Sequence, residues 1–255
     1  MTLIDTHAHL YLPDFTTEIR EVISRAKSEN VEKIYLPSID SETIAAMIDL
    51  ESAFPGICES MIGLHPCSVK DNFENELDLV SEWLAKRSFA AIGEIGLDFY
   101  WDKTFRDQQY TAFETQIELA LLYNLPIVIH SREAGQECLD MVRKYHDRNL
   151  KGIFHCFSGS YELACSIVDT GFYLGIGGVI TYKNSGLAEV VKKIPLEHLV
   201  LETDAPYLTP VPFRGKRNES SYLTYIVAKL AEVKGTSIEE VALATTANAK
   251  RIFGS

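Results

Sequence analysis

The stretch Leu3-Ile4-Asp5-Thr6-His7-Ala8-His9 sets the pattern of the whole chain: a short apolar run that ends in a polar cluster. The first run reads as a strand over Leu3–His7. Comparable runs, often β-branched, lie at Lys33–Leu36, Ser60–His65, Ala90–Leu97, Ile127–His130, Gly152–His155, Phe172–Gly177 and Leu199–Asp204. Continuous apolar strands of this length suit a parallel sheet covered on both faces. Between them, apolar residues recur at three- and four-residue steps over Glu18–Asn30, Glu42–Ser52, Glu76–Arg87, Asp107–Tyr123 and Ala134–His146. Tyr161–Thr170, Gly186–Lys193 and Ser221–Val233 continue that helical series. Ser237–Ala247 adds one more helix, with Ser237 as its N-cap ahead of paired glutamates. Eight strands alternating with eight helices in 255 residues predict an α/β fold, a (β/α)8 TIM barrel with an additional C-terminal helix, in one domain spanning 1–255. An open doubly wound sheet alternates too, but no glycine-rich fingerprint follows the first strand here.

With 36 acidic and 24 basic side chains the chain carries a formal charge of −12, and 46% of its residues are apolar. That composition excludes a disordered or fibrous chain. It also excludes bulk attraction to nucleic acid, which needs Lys and Arg set against phosphates. Any polyanion must be handled at a local site. No apolar run approaches the ~20 residues of a membrane span. The first ten residues have neither the basic nor the apolar region of a signal peptide. The cysteines (Cys58, Cys67, Cys138, Cys156 and Cys165) are odd in number and form no CxxC pair, which reads as a reduced, cytoplasmic chain. No spare apolar helix or insertion stands out, so the chain is taken as a monomer.

Barrel chemistry sits at the C-terminal ends of the strands, and the polar residues gather there. Strand one ends in His7 and His9, which share a face because they are two residues apart. Strand three ends in His65, strand four in Glu94 and Asp98, strand five in His130, strand six in His155, and strand eight in Glu202 and Asp204. Five of the seven histidines fall at predicted strand ends; His146 and His198 do not. Left unpaired, such groups would destabilise the barrel mouth; a metal satisfies them together. Four imidazoles and two carboxylates exceed what one tetrahedral ion needs, and suit two ions with one bridging carboxylate.

In order and spacing, these motifs are similar to a known family. Ile4–Leu10, Gly63–Pro66, Ala91–Asp98, His130–Arg132, His155–Gly159, Leu201–Pro206 and Arg217–Glu219 resemble those of the TatD-related metal-dependent deoxyribonucleases, within the amidohydrolase-like barrel superfamily. One departure is Ser220, where the family usually has proline. The resemblance implies that His7, His9, Glu94, His130, His155 and Asp204 hold two divalent ions (Mg, Mn or Zn). Glu94 would bridge, His7, His9 and Asp204 would complete one ion, and His130 and His155 the other. His65 is assigned to substrate phosphate or proton transfer, and Asp204 to orienting the attacking water or taking its proton, so that Asp204, Glu94 and His65 form the catalytic set. Asp5 and Glu202 are expected to fix imidazole tautomers.

Six ligands would bring two negative charges to two divalent ions, so the site stays positive inside an acidic protein and attracts a phosphodiester. Arg132, Lys183 and Arg217 are phosphate-contact candidates, with Arg214 nearby; Lys216 reads as solvated. Phe99, Tyr100 and Trp101 either stack on unpaired bases or pack the rim. Cys156 reads as packing. The expected activity is a deoxyribonuclease that removes nucleotides from DNA ends, single strands or 3′ ends, in the 3′–5′ direction. The alternative is a related metallohydrolase that cleaves an ester, amide or lactone, including an aminoacyl-tRNA ester. A non-enzymatic scaffold would have a damaged ligand set, and none of the six positions is missing.

Overall fold

The computed structural model describes residues 1–254. Eight parallel strands run in chain order: β1 Leu3–Asp5, β2 Val31–Pro37, β3 Cys58–Met61, β4 Ile92–Asp98, β5 Ile127–Arg132, β6 Gly152–Phe154, β7 Tyr173–Ile176 and β8 Leu199–Leu201. The helices between and after them are α1 Ile19–Ser28, α2 Ser41–Ala53, α3 Phe73–Lys86, α4 Arg106–Tyr123, α5 Gly135–Arg143, α6 Tyr161–Val168, α7 Leu187–Val191, α8 Leu223–Lys234 and α9 Ile238–Phe253. Local chemistry sets several ends. The Ser160 and Ser237 hydroxyls accept the backbone N–H groups of Leu163 and Glu240 and start α6 and α9. Asn124, Gly235 and Gly254 end α4, α8 and α9 in the left-handed conformation.

The strands form two ladders, β1-β2-β3 and β4-β5-β6-β7-β8, joined at two seams. Between β3 and β4, Ile62 pairs with Ile92, Ile62 N donates to Ala91 O (3.1 Å) and Gly93 N to Ile62 O (2.9 Å). Between β8 and β1, Thr6 N donates to Leu201 O (3.0 Å), Asp204 N to His7 O (2.9 Å) and His9 N to Ala205 O (2.7 Å). The ring is thus hydrogen-bonded all the way round. Its interior says the same. Ile4, Tyr35, Met61, Ala91, Val128, Ile153 and Val200 form one buried cluster with Tyr173 packed against it, drawing on the run of every strand. The C-terminal end of α9 seals this layer with Ala249, Ile252 and Phe253, the last stacked on Tyr35 at 3.7 Å.

α9 runs six residues past the predicted Ala247, its inner face continuing through Asn248, Ala249 and Ile252 under the barrel while Lys250 and Arg251 stay exposed. Replacing Ile252, 2% exposed, with alanine is expected to cost about 2–5 kcal/mol. Chemical denaturation checks this, and the metal content of the folded protein should not change.

Side chains alternate along a strand, so the residues two positions beyond the inner cluster point into the mouth. Val128 leads to His130, Ile153 to His155 and Val200 to Glu202. Several strands end earlier than their sequence runs suggest: β1 stops at Asp5, β3 at Met61, β6 at Phe154 and β8 at Leu201. The residues beyond keep single hydrogen bonds but leave the ladder; Cys156 and Asp204 take positive φ values of 47° and 56°. Non-glycine residues in this region carry strain, which concentrates at functional sites.

Candidate metal centre

The mouth residues converge on Glu94, which is 2% exposed. Its two oxygens face different histidines. Oε2 lies 3.1 Å from His7 Nε2 and 3.5 Å from His9 Nε2. Oε1 lies 2.8 Å from His130 Nδ1, 3.5 Å from His65 Nε2 and 3.8 Å from His155 Nε2. Asp204 Oδ1 closes the first group, 3.8 Å from His7 Nε2 and 3.7 Å from His9 Nε2, and stands 3.6 Å from His155 Nε2. The His7 and His155 rings stack at 3.5 Å.

The donor set fits metal ions. His7 Nε2 and His9 Nε2 are 3.2 Å apart and share the neighbours Glu94 and Asp204. Bonds of about 2.0–2.1 Å around a tetrahedral ion imply ligand–ligand edges of about 3.3–3.4 Å, within the observed range. A second group combines Glu94, His65 and His130, and a third His7, His155 and Asp204.

The far side of each ring is also organised. Tyr11 Oη donates to Pro37 O (2.6 Å), so its lone pair is left to accept from His9 Nδ1 (2.9 Å). His9 then presents the Nε2 lone pair to the centre. Asp98 Oδ2 sits 2.9 Å from His130 Nε2, and Glu202 Oε1 sits 3.1 Å from His155 Nδ1. Such outer partners orient imidazole ligands and raise their basicity. Glu202 therefore stands where the sequence placed it, against an imidazole. Asp5 does not: its carboxylate accepts Thr203 N (2.9 Å) and Thr203 Oγ1 (2.6 Å), pinning the turn that carries Asp204.

Glycines make room. A Cβ on Gly175 would lie 2.2 Å from Glu202 Oε2, and one on Gly96, at φ 136°, would lie 2.1 Å from the His130 carbonyl oxygen. Strand alternation from Glu94 through Gly96 leads to Asp98, and alternation from His7 through His9 leads to Tyr11. Those were the available signals for two residues that the motif reading did not assign.

His65 differs from the others. Its Nδ1 accepts the Cys67 N–H (3.0 Å), so in the neutral ring Nε2 carries the proton and donates toward the centre. Burial lowers its pKa, with Glu94 pulling the other way and His130 adding to the fall. His7 is held neutral by burial and by His155. Burial also works against charge on His130 and His155. Asp98 and Glu94 nevertheless raise His130 to about 9, and Glu202, Glu94 and Asp204 raise His155 to about 10. Glu94, despite burial, is held well below the usual carboxylate range by His65, His7 and His155. Burial pushes Asp204 up to about 6.

Protonated His130 and His155 thus balance the buried carboxylates when no metal is bound. With folded pKa values above the ordinary 6.5, their contribution is complete below that pH and is lost as pH rises through about 9 and 10. Thermal melts in chelator are expected to show falling stability from pH 7 to 10, and saturating metal should flatten that fall. Tyr11→Phe removes the acceptor for His9 Nδ1–H and is expected to weaken metal binding about 10- to 100-fold, by titration calorimetry.

The basic candidates separate. Arg132 and Lys183 are exposed, on the end of β5 and the loop after β7. Arg217 is taken up elsewhere: it donates to Asp14 O (2.5 Å), lies 2.9 Å from Glu18 Oε1 and covers the Phe15 ring at 4.5 Å. The sequence expectation of a phosphate contact from Arg217 gives way to a contact that ties the loop after β8 to the segment before α1. Arg214 lies over Tyr182 at 4.4 Å.

A family model described as TatD related DNase matches residues 4–254. The chain belongs to the TatD-related DNase family. The uncharacterized metal-dependent hydrolase YabD of Bacillus subtilis (strain 168) is 44% identical over 252 residues, covering 98% of both chains. The uncharacterized metal-dependent hydrolase YcfH of Escherichia coli (strain K12) is 31% identical over 257 residues, 99% of this chain and 96% of its own. The crystal structure of YjjV, a TatD homolog from Escherichia coli K12, superposes with a TM-score of 0.94 at 30% identity, covering 99% of this chain and 98% of the other. As a TatD-family protein this chain is a metal-dependent hydrolase. No helix among the described residues is long and apolar enough to cross a membrane.

Proposed function

We propose that the chain is a deoxyribonuclease that removes nucleotides from DNA ends in the 3′–5′ direction, using two divalent ions. The observation that carries the two-ion reading is the division of Glu94, with Oε2 turned to His7 and His9 and Oε1 to His130, His65 and His155. His7, His9 and Asp204 would hold one ion and His130 and His155 the other, with Glu94 between them. When bound, Mg, Mn or Zn ions lower the pKa of water and stabilise the attacking and leaving oxygens of an in-line displacement.

The chain's own residues supply the rest. Asp204, partly exposed and lifted by burial toward neutral pH, accepts the proton of the attacking water. His65, its Nε2–H aimed at the centre, donates to a phosphoryl oxygen or to the departing oxygen. Asp98 and Glu202 keep their imidazoles in place throughout. Arg132 and Lys183, exposed at the mouth, meet the phosphates of the strand, and the narrow barrel mouth admits an end more readily than a continuous duplex. The same reading takes residues 1–255 as one domain, a monomer working in the cytoplasm, where its cysteines stay reduced; those among the described residues are all free thiols.

The test is degradation of a 5′-labelled single-stranded DNA oligonucleotide with Mg or Mn, and with chelator. A metal-dependent ladder of shortening products supports both activity and polarity. Intact DNA from folded, metal-loaded protein rejects the reading in favour of an ester, amide or lactone substrate.

A further inference from the structure

The aromatic run after β4 divides in the structure. Phe99 is buried at 4% exposure, whereas Tyr100 and Trp101 stand out at 48% and 68%. Exposing two large rings side by side costs solvation that a packing role would have avoided. The rings meet edge to face at 4.8 Å, and the Arg132 guanidinium lies over Tyr100 at 4.0 Å and Trp101 at 5.2 Å. Arg132 makes no ion pair with a carboxylate among the described residues, so its charge is open to a ligand. A cleft of about 250 Å³ opens beside Trp101, also lined by Lys70 and Asp98.

One carboxylate ties this shelf to the metal centre. Asp98 Oδ1 accepts the N–H groups of Tyr100 (2.9 Å) and Trp101 (3.1 Å), while Oδ2 holds His130 Nε2 (2.9 Å). Asp98 is 1% exposed. The backbone that carries the aromatic shelf is thereby fixed to His130, one of the second histidine group.

We propose that Trp101 and Tyr100 form a stacking subsite for an unpaired base next to the scissile phosphate, with Arg132 meeting the adjoining phosphate. The subsite selects single-stranded or frayed ends, because a base still paired in a duplex offers no free face. This rests on the nuclease reading above and names the form of nucleic acid that the same site takes. Stacking suits the acidic chain: it contributes binding without a broad basic surface, and it tolerates any base.

The test compares two single-stranded oligonucleotides under Mn, one with ordinary nucleotides and one abasic in its 3′-terminal residues. Each is assayed with the wild type, Trp101→Ala and Trp101→Phe. Loss of one stacked base corresponds to roughly 5- to 150-fold in affinity. The expected result is a KM raised about 10-fold or more for Trp101→Ala on the ordinary strand, no change on the abasic strand, and rescue by Trp101→Phe. Equal KM shifts on both strands, or none, overturn the proposal. A binding arm separates it from the nuclease reading: quenching of intrinsic tryptophan fluorescence by the ordinary oligonucleotide without metal, with Trp101→Ala subtracting the signal of Trp83. Trp101-dependent quenching without cleavage would keep the subsite and reject the nuclease reading; neither quenching nor cleavage would reject both.

Discussion

Replacing Glu94 with glutamine is expected to remove activity by at least about 10³-fold and to lower metal content to one ion per chain or fewer. Both oxygens of this carboxylate are in use: the nearest imidazole nitrogen is 3.1 Å from Oε2 and 2.8 Å from Oε1. Glutamine keeps the volume but supplies one oxygen and one NH2 group, and the NH2 group has no lone pair for an ion. It also removes the negative charge that holds His130 and His155 against the carboxylate side of the site. Metal analysis of purified protein and kcat with saturating Mn check the prediction together. An enzyme that keeps two ions and loses less than 10-fold in kcat would show that Glu94 does not bridge. Because Glu94 is buried against the imidazoles it balances, thermal stability in chelator is expected to fall as well, and circular dichroism reports independently that the variant is folded.

Asp204 is the second large effect, and here two substitutions give different expected results. Asp204→Ala removes both the ligand oxygen and the proton acceptor, and should cost about 10³-fold or more in kcat, with weaker metal binding. Asp204→Asn keeps an oxygen at the position 3.7 Å from His9 Nε2 but cannot take a proton. General-base removal costs about 10²–10⁴-fold, so the asparagine variant should bind metal nearly as the wild type and still turn over slowly. If the asparagine variant retains wild-type kcat, the proton goes elsewhere, and His65 becomes the group to test. The left-handed backbone at Asp204, φ 56°, suits the asparagine variant, since asparagine tolerates that region nearly as well as aspartate, whereas alanine adds backbone strain there.

The alternation of apolar runs with helical periodicity was enough to read eight strands and nine helices, because a strand buried on both faces cannot hide its composition. The gathering of five histidines and several carboxylates at strand ends was legible as a cluster, since one histidine after a strand reads as readily as a core or turn residue; the choice of His7, His9, Glu94, His130, His155 and Asp204 as the ligand set came from the family resemblance. Boundaries were less legible. The predicted strand over Leu199–Asp204 stops at Leu201, since Asp204 turns to face the centre while Glu202 stands behind His155, and no local pattern announces that turn. Arg217 looked like a phosphate contact from its loop; its neighbours Glu18, Asp14 and Phe15 lie some 200 positions away in the chain. Asp98 closed the Ala91–Asp98 motif without a role of its own, and Tyr11, two residues past His9, lay in no motif.

By itself, then, the sequence determined the α/β barrel and which side chains stand at its mouth, because burial and strand alternation are local and leave their period in the chain. Only the tertiary structure decided how those side chains share partners. It set which Glu94 oxygen meets which histidines, that Asp98 joins His130 to the Tyr100–Trp101 shelf, that Asp5 serves Thr203 instead of an imidazole, and that Arg217 is already paired. The physical reason is range: hydrogen bonds and ion pairs act over about 3 Å between residues that only the closed ring of strands brings together.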